Sequence, residues 1–294
     1  MLTRVPEKNA KDEFSRLAGR TRSLSIFHEP FWLDSCLGPN NWDVAVVTDG
    51  SRIVGALPFG IQTIYGFKRL VQPTLSPFLG PWVDDAIIRK RDYSAWHDVL
   101  SALEEALPKH DSYLQNWNRS QTNWLPFYWR GYSQSTAYTY VLPSRWGLEE
   151  IWKGLSKNTR RDIRLARERF GLTVQNENDI GAAVASVNER FRFKGLRQRL
   201  PGDELRAVFA SALERDRACI LTARDPNGRL HGSVLLVWDN YVCYYLAGAV
   251  VEEYSHSHAS RLLLITAIEK SRELGLDFDF EGSMISSIEK VFRG

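Results

Sequence analysis

The chain has 294 residues, 44% of them hydrophobic and 25% charged, which is ordinary globular composition and more chain than one typical α/β domain needs. A formal net charge of +3 lacks the clustered basic excess of a dedicated nucleic-acid binder, and permits an anionic substrate without demanding one. Met1 to Lys8 has no apolar stretch of the kind that opens a secretory signal, and no later run is long enough to span a bilayer, so a cytoplasmic location is the expectation. Cys36, Cys219 and Cys243 are odd in number and far apart, which argues against a disulfide framework or a zinc site and for reduced thiols.

In chain order, residues 1–25 are polar and rich in Arg and Lys, and read as an N-terminal arm. Ile26, Phe27 and the cluster Pro30-Phe31-Trp32-Leu33 begin an apolar helix. From Asp43 the chain reads as a strand, a turn at Asp49-Gly50-Ser51, and a long strand from Arg52 through Ile61, a hairpin by its turn chemistry. A third strand follows near Phe67 to Val71, and a helix over Tyr93 to Leu107.

The second half repeats this grammar. Strands are expected over Cys219–Ala223, Arg229–Trp238 and Tyr241–Gly248, with turns at Asp225-Pro226-Asn227-Gly228 and Asp239-Asn240. Arg52-Ile53-Val54-Gly55-Ala56-Leu57 aligns with Arg229-Leu230-His231-Gly232-Ser233-Val234, which suggests a duplication. Helices are expected over Ala182–Phe193, Glu204–Arg215 and Ser257–Leu274. The last has Ser257 as N-cap, a stripe through Leu262, Ile265 and Ile268, and Gly275 as its stop. A strand over Leu276–Phe280 completes the pattern. Strands interleaved with helices in this way form α/β (α+β) layers. The connector between the halves, from Trp117 to Tyr140, is rich in aromatic residues and reads either as a packed seam between domains or as a stacking surface for a sugar or base.

No Gly-x-Ser-x-Gly elbow, His-Glu-x-x-His helix, Walker loop or Gly-x-Gly-x-x-Gly fingerprint occurs, which weighs against hydrolase, kinase and dehydrogenase readings. His256 and His258 lie near Glu252 and Glu253 but lack the spacing of a metal site, so no metal is expected. Lys153, Lys157, Arg160, Arg161, Arg164, Arg167 and Arg169 form the densest basic stretch. It reads as a solvated helical face or as a clamp for phosphate, since guanidinium groups at i and i+3 or i+4 bind phosphate bidentately. Asp277-Phe278-Asp279-Phe280-Glu281-Gly282-Ser283-Met284 alternates acids with aromatics on a short strand. Three carboxylates on one face repel, so at least one requires a partner or a raised pKa. An acid at a strand end beside glycine is placed to take a proton from an attacking amine.

Leu75-Ser76-Pro77-Phe78-Leu79-Gly80-Pro81-Trp82, Tyr138-Thr139-Tyr140-Val141-Leu142, Arg160-Arg161-Asp162-Ile163-Arg164-Leu165-Ala166, and Asp279 to Met284 followed by Ile288 to Gly294 together resemble the motifs of FemAB-like acyltransferases, in particular bacterial proteins described as BioF2-like, within the Gcn5-related N-acetyltransferase (GNAT) superfamily. The resemblance runs from about Phe27 onward. It implies two tandem GNAT-like domains, each a mixed, mostly antiparallel sheet flanked by helices, over 26–142 and 143–294. It implies transfer of an acyl group to an amine of an amino sugar or a cell-envelope or polysaccharide precursor, with acetyl-CoA or another acyl-CoA as co-substrate. The alternatives are an aminoacyl-tRNA donor, as in peptidoglycan members of the family, and a non-catalytic GNAT-fold binding protein.

Carried over by motif, Glu281, Arg293 and Asp279 would serve catalysis. Lys157, Arg160, Arg161, Tyr245 and Ser283 would hold the acceptor, a small molecule linked to a sugar or nucleotide. Ser257, His258 and Ser260 would face the co-substrate. Three departures stand out: no room for the helical arm of the peptidoglycan enzymes, Ser255-His256-Ser257-His258-Ala259-Ser260 in place of the Gln/Arg-x-x-Gly-x-Gly/Ala pyrophosphate loop, and an end at Gly294 where relatives continue into a strand. Either the strand is absent and an edge is exposed, or another element fills that position.

Overall fold

A computed structural model describes residues 2–177, 179–181, 183–185 and 202–294. The chain forms two compact units, Met1–Ser135 and Thr136–Gly294.

The first unit runs β1 (Leu2–Arg4), α1 (Glu7–Ala18), a 3-10 turn (Ile26–His28), α2 (Pro30–Leu37), β2 (Trp42–Asp49), β3 (Arg52–Ile64), β4 (Phe67–Val71), β5 (Trp82–Val83), α3 (Asp85–Lys90), α4 (Tyr93–Glu105), β6 (Ser112–Leu114) and α5 (Leu125–Trp129). The strands form a sheet in the order β1-β2-β3-β4-β6, with β5 also paired to β3. The hairpin expected at Asp49 to Arg52 is present, and Gly50 takes the left-handed conformation (φ +60°) that its turn requires. Helix α4 is capped by the Asp92 carboxylate, which accepts from the Ala95 N–H. It lies so close to β3 that a Cβ on Gly55 would come within 2.5 Å of Val99 Cγ1.

Residues 1–25, expected as an arm, instead belong to this fold. Strand β1 pairs antiparallel with β2, and Ala10 and Phe14 of α1 are buried. The physical reason is an apolar stripe at helical spacing, Ala10, Phe14 and Leu17, inside a segment whose overall composition is polar. The aromatic connector also divides. Phe127 is buried in this unit, 4.8 Å from the Trp117 ring and 5.1 Å from Tyr132, while Tyr138 and Tyr140 belong to the second unit.

The second unit runs β7 (Val141–Leu142), α6 (Leu148–Gly154), α7 (Lys157–Glu168), β8 (Thr173–Asn176), α8 (Gly202–Leu213), β9 (Ala218–Arg224), β10 (Leu230–Trp238), β11 (Val242–Val250), a 3-10 segment (Glu252–Ser257), α9 (Ala259–Glu273), β12 (Asp277–Asp279) and α10 (Ser286–Arg293). The helix expected over Ala182–Phe193 lies outside the described residues apart from 183–185. Among the described residues the sheet order is β7-β12-β11-β10-β9-β8, with only β11 and β12 parallel. Strand β7 occupies the sheet position beside β12, so that edge is covered by chain from the start of the unit.

The repeated sequence grammar is a repeated topology. In each unit a three-strand meander is followed by a helix and then a strand parallel to the third, β2-β3-β4-α4-β6 and β9-β10-β11-α9-β12. A parallel neighbour needs a crossover connection, which the helix provides. The aligned segments Arg52–Leu57 and, from Leu230 on, Arg229–Val234 fall on β3 and β10, the middle strands of the two meanders. The core of the second unit lies between its sheet and helices α7 and α9, around Ile163, Leu236, Cys243, Leu262, Ile265 and Phe278.

Candidate active site

The site is organised by the place where β11 and β12 part. Their parallel register covers only Val242↔Asp277, Cys243↔Phe278 and Tyr244↔Asp279; β11 then runs on to Val250, while the chain after Asp279 turns away. The turn is made by Glu281 and Gly282, both left-handed (φ +56° and +61°). A left-handed non-glycine residue is unusual, and such strain gathers at functional positions. The same turn breaks the expected alternation. Phe278 and Phe280 do share the core side, with rings 4.9 Å apart, but the three acids do not share one environment.

Asp277 accepts from the Ser144 N–H at 2.7 Å. Oδ1 of Asp279 accepts from the Thr139 hydroxyl at 2.6 Å and from the Glu281 N–H at 2.9 Å, so this carboxylate holds the turn in place. Glu281 differs: its Oε1 is enclosed and has no hydrogen-bond partner among the described residues. Burial, and secondarily the charge of Asp279, raises its pKa well above the ordinary carboxylate value. Glu281 is therefore the acid with the raised pKa that like-charge repulsion required.

Tyr245 stands beside it. Burial, reinforced by the Glu281 charge, pushes its hydroxyl up to about 12. The position of Tyr245 depends on a β-bulge at Leu246, where the pairing of β11 with β10 shifts from Tyr245↔Leu236 to Ala247↔Leu235. The bulge puts Tyr245 and Gly248 side by side, so close that a Cβ on Gly248 would lie 2.0 Å from the Tyr245 hydroxyl. Glycine at 248 is what lets the ring lie along the strand.

Beyond β11, the N-terminus of α9 differs from the expected capping. Ser257 falls within the 3-10 segment and is fully buried, and His258, left-handed at φ +59°, takes the N-cap position without a side-chain cap. The winding of Glu252–Ser257 turns Ser257 inward, where its hydroxyl has no hydrogen-bond partner among the described residues. Ser260 is exposed in the first turn of α9. His258 Nδ1 lies 3.7 Å from Asp162 Oδ2 of α7, and the rings of His256 and His258 both stand against Phe170.

The three cations expected to hold the acceptor are spread along α7. Arg160 donates to the backbone oxygens of Trp152 (3.2 Å) and Lys153 (3.0 Å), closing the end of α6 rather than projecting freely. Arg161 pairs with Asp162 at 3.0 Å, which sets it near His258, and Lys157 is exposed. Ser283 caps the turn into α10 by accepting from the Ile285 N–H. Arg293 stands at the far end of α10, largely exposed, with Nε 3.1 Å from Glu289 Oε1; the Tyr140 hydroxyl donates to the same oxygen at 2.6 Å. Between α6, α7, α9 and α10 lies a cavity of about 420 Å³.

Residues 153–283 match the family model described as the acetyltransferase (GNAT) domain. The second unit contains the segment that matches this domain. Comparison of the sequence with curated proteins finds no match. Among solved structures, the chain is similar to FemX, with a TM-score of 0.62 at 11% identity over 96% of this chain and 89% of that one. It is similar to the C-terminal domain of a putative lysylphosphatidylglycerol synthetase from Agrobacterium fabrum, with a TM-score of 0.52 at 13% identity over 97% and 81%. The corresponding enzyme from Bacillus licheniformis gives a TM-score of 0.52 at 11% identity over 95% and 78%. At these identities the likeness is one of fold.

The matched GNAT segment contains Glu281, Asp279, Tyr245, the α9 N-terminus and α7, while Arg293 lies beyond it. The first turn of α9 carries no side-chain cap, and the Ser257 hydroxyl just before it is fully buried. Among the described residues no group of three or more His, Cys, Asp or Glu side chains could hold a metal ion, and no helix is long and apolar enough to cross a membrane. Sequence reasoning missed Thr139, the partner of Asp279, and Gly248. A glycine inside the apolar run from Val242 to Val250 was the available signal for a bulge.

Proposed function

We propose that this protein is an N-acyltransferase that moves an acyl group from acetyl-CoA or another acyl-CoA to the amine of an amino sugar or related cell-envelope or polysaccharide precursor. The observation that carries this reading is Glu281, an enclosed carboxyl group with an unpartnered oxygen at the point where β11 and β12 part, inside a GNAT domain. The acceptor class rests on the FemAB-like motifs of the sequence.

A bound thioester would supply the activated carbonyl: the amine nitrogen forms the C–N bond, the C–S bond breaks, and sulfur leaves as the thiolate. Glu281, once ionised, takes the proton that the amine loses. Its raised pKa makes it a stronger base than an exposed carboxylate, because a base works best with a pKa near the working pH. Tyr245 keeps its proton at neutral pH and serves as a hydrogen-bond donor beside Glu281. Asp279, fixed by Thr139, holds the backbone of Glu281 in its strained conformation.

A second reading, aminoacyl transfer, draws support from the exposed cations of α7, Lys157, Arg161, Arg164 and Arg167, and from the fold shared with the lysylphosphatidylglycerol synthetases. Binding of tRNA through such a face would weaken steeply with salt. The deciding experiment titrates the protein calorimetrically with acetyl-CoA and CoA, then follows thiol release with a panel of amino sugars for the wild type and Glu281→Gln. Micromolar binding with Glu281-dependent turnover supports the proposal. Salt-sensitive tRNA binding without CoA binding supports the second reading, and neither signal points to a GNAT-fold binding protein.

A further inference from the structure

The cavity of the second unit is lined mainly by aliphatic and aromatic side chains, among them Leu142, Ile151, Ile163, Ile268, Phe280 and Phe292. At about 420 Å³ it falls within the range of small-molecule sites, roughly 300–1,000 Å³. An apolar space left unfilled deprives its lining of dispersion contacts, so these side chains favour an apolar occupant. The polar exceptions are informative. Arg261 and Arg293 also line the cavity, Arg293 largely exposed and Arg261 half-buried with Nη1 donating to the Val291 carbonyl at 2.7 Å. Glu150 is there as well.

The cavity adjoins the residues already assigned to the chemistry. Phe280 lies next to Glu281 in the chain, and the Phe292 ring is 5.2 Å from Phe280 and 5.8 Å from Tyr245. Those two phenyl rings therefore border the cavity and lie beside Glu281 and Tyr245. An acetyl group has too little apolar surface to use such a space.

We infer that the cavity between α6, α7, α9 and α10 receives a linear aliphatic chain, so that the acyl group handled by this protein is a medium-length fatty acyl group. The inference rests on the acyltransferase reading above and specifies its donor. The chain lies among the aliphatic side chains, with its thioester end toward Glu281 beside Phe280. The chemistry is unchanged from acetyl transfer: C–N forms, C–S breaks, and the amine proton passes to Glu281.

The test measures calorimetric affinity for acetyl-, butanoyl-, hexanoyl- and octanoyl-CoA, and for decanoate as a free fatty acid, in the wild type and in Ile268→Trp and Ile151→Phe. Circular dichroism and unfolding curves establish that each variant is folded, and a variant that fails to fold is replaced by the other. Affinity is expected to rise about three- to fourfold per methylene as the chain enters the cavity. Both variants should flatten that series while leaving acetyl-CoA affinity within about twofold of wild type. Equal affinity for acetyl- and octanoyl-CoA, unchanged in the variants, overturns the inference and leaves the acyl-CoA reading intact. Decanoate binding that the variants abolish, without binding of any acyl-CoA, supports the cavity assignment and removes the acyl-CoA donor. Absence of both overturns both.

Discussion

The backbone carbonyl oxygen of Tyr138 lies against Gly282 so closely that a Cβ at residue 282 would stand 1.9 Å from it. Backbone meets backbone there, and neither can give way as a flexible side chain would. Gly282 also holds φ +61°. Gly282→Ala is therefore expected to destabilise the protein by roughly 2–4 kcal/mol, combining backbone strain with overpacking. Urea unfolding checks the value. An unchanged midpoint would show that the turn relaxes without cost.

Gly248 and Tyr245 form a second contact of this kind, since a Cβ on Gly248 would sit 2.0 Å from the Tyr245 hydroxyl. Gly248→Ala should cost about 1–3 kcal/mol by overpacking. Truncating Tyr245 to Ala in the same chain should recover part of that loss, so a double-mutant cycle is expected to show coupling of at least about 0.5 kcal/mol. Strict additivity would mean that the bulge, rather than the ring, determines the cost.

Glu281→Gln should lower turnover by about 10²- to 10⁴-fold if the carboxylate takes the proton. Wild-type activity should rise with pH as Glu281 ionises, through an apparent pKa above the ordinary carboxylate value. The stability effect has the opposite direction. The folded state holds the Glu281 proton more tightly than the unfolded chain, so stability is greatest below the unfolded pKa of about 4.3 and falls as pH rises through the folded one. The Gln variant should lack this fall, and thermal unfolding of the two proteins between acid and neutral pH measures the difference.

Asp225 gives the contrasting case at the β9–β10 turn. Burial alone would raise its pKa, but hydrogen bonds from the Arg229 guanidinium and from the N–H groups of Arg229 and Asn227 bring it down to about 2. A depressed pKa stabilises the fold above the unfolded value, and the benefit disappears as pH falls through about 2. Asp225→Asn should therefore destabilise at neutral pH and have little effect near pH 2. Equal destabilisation at both pH values would assign the effect to packing.

The elements of this protein were legible because each carries its own local signal. The Asp49-Gly50-Ser51 turn, Phe67–Val71, the helix from Tyr93 and the stop at Gly275 follow from turn chemistry and periodicity, and the structure has β4 at Phe67–Val71 and α4 starting at Tyr93. The repeat is carried in the sequence itself by the aligned Arg52–Leu57 and Arg229–Val234 segments. Local pattern was weakest where composition masks periodicity, as in residues 1–25, where Ala10 and Phe14 are buried within a polar segment.

What the sequence determined by itself was a set of side chains with the right chemistry: alternating acids at 277–281, cations at 153–169, and serines before the last long helix. Only the tertiary structure decided which of them share an environment. Asp277 and Asp279 meet Ser144 and Thr139, residues more than a hundred positions earlier, while Oε1 of Glu281 is enclosed without a hydrogen-bond partner among the described residues. Arg160 is drawn to the carbonyl oxygens of α6, and Ser257 yields the cap of α9 to His258. A carboxylate's pKa depends on its burial and on neighbours distant in the chain, and these arise only when β7, β11 and β12 come together in one sheet.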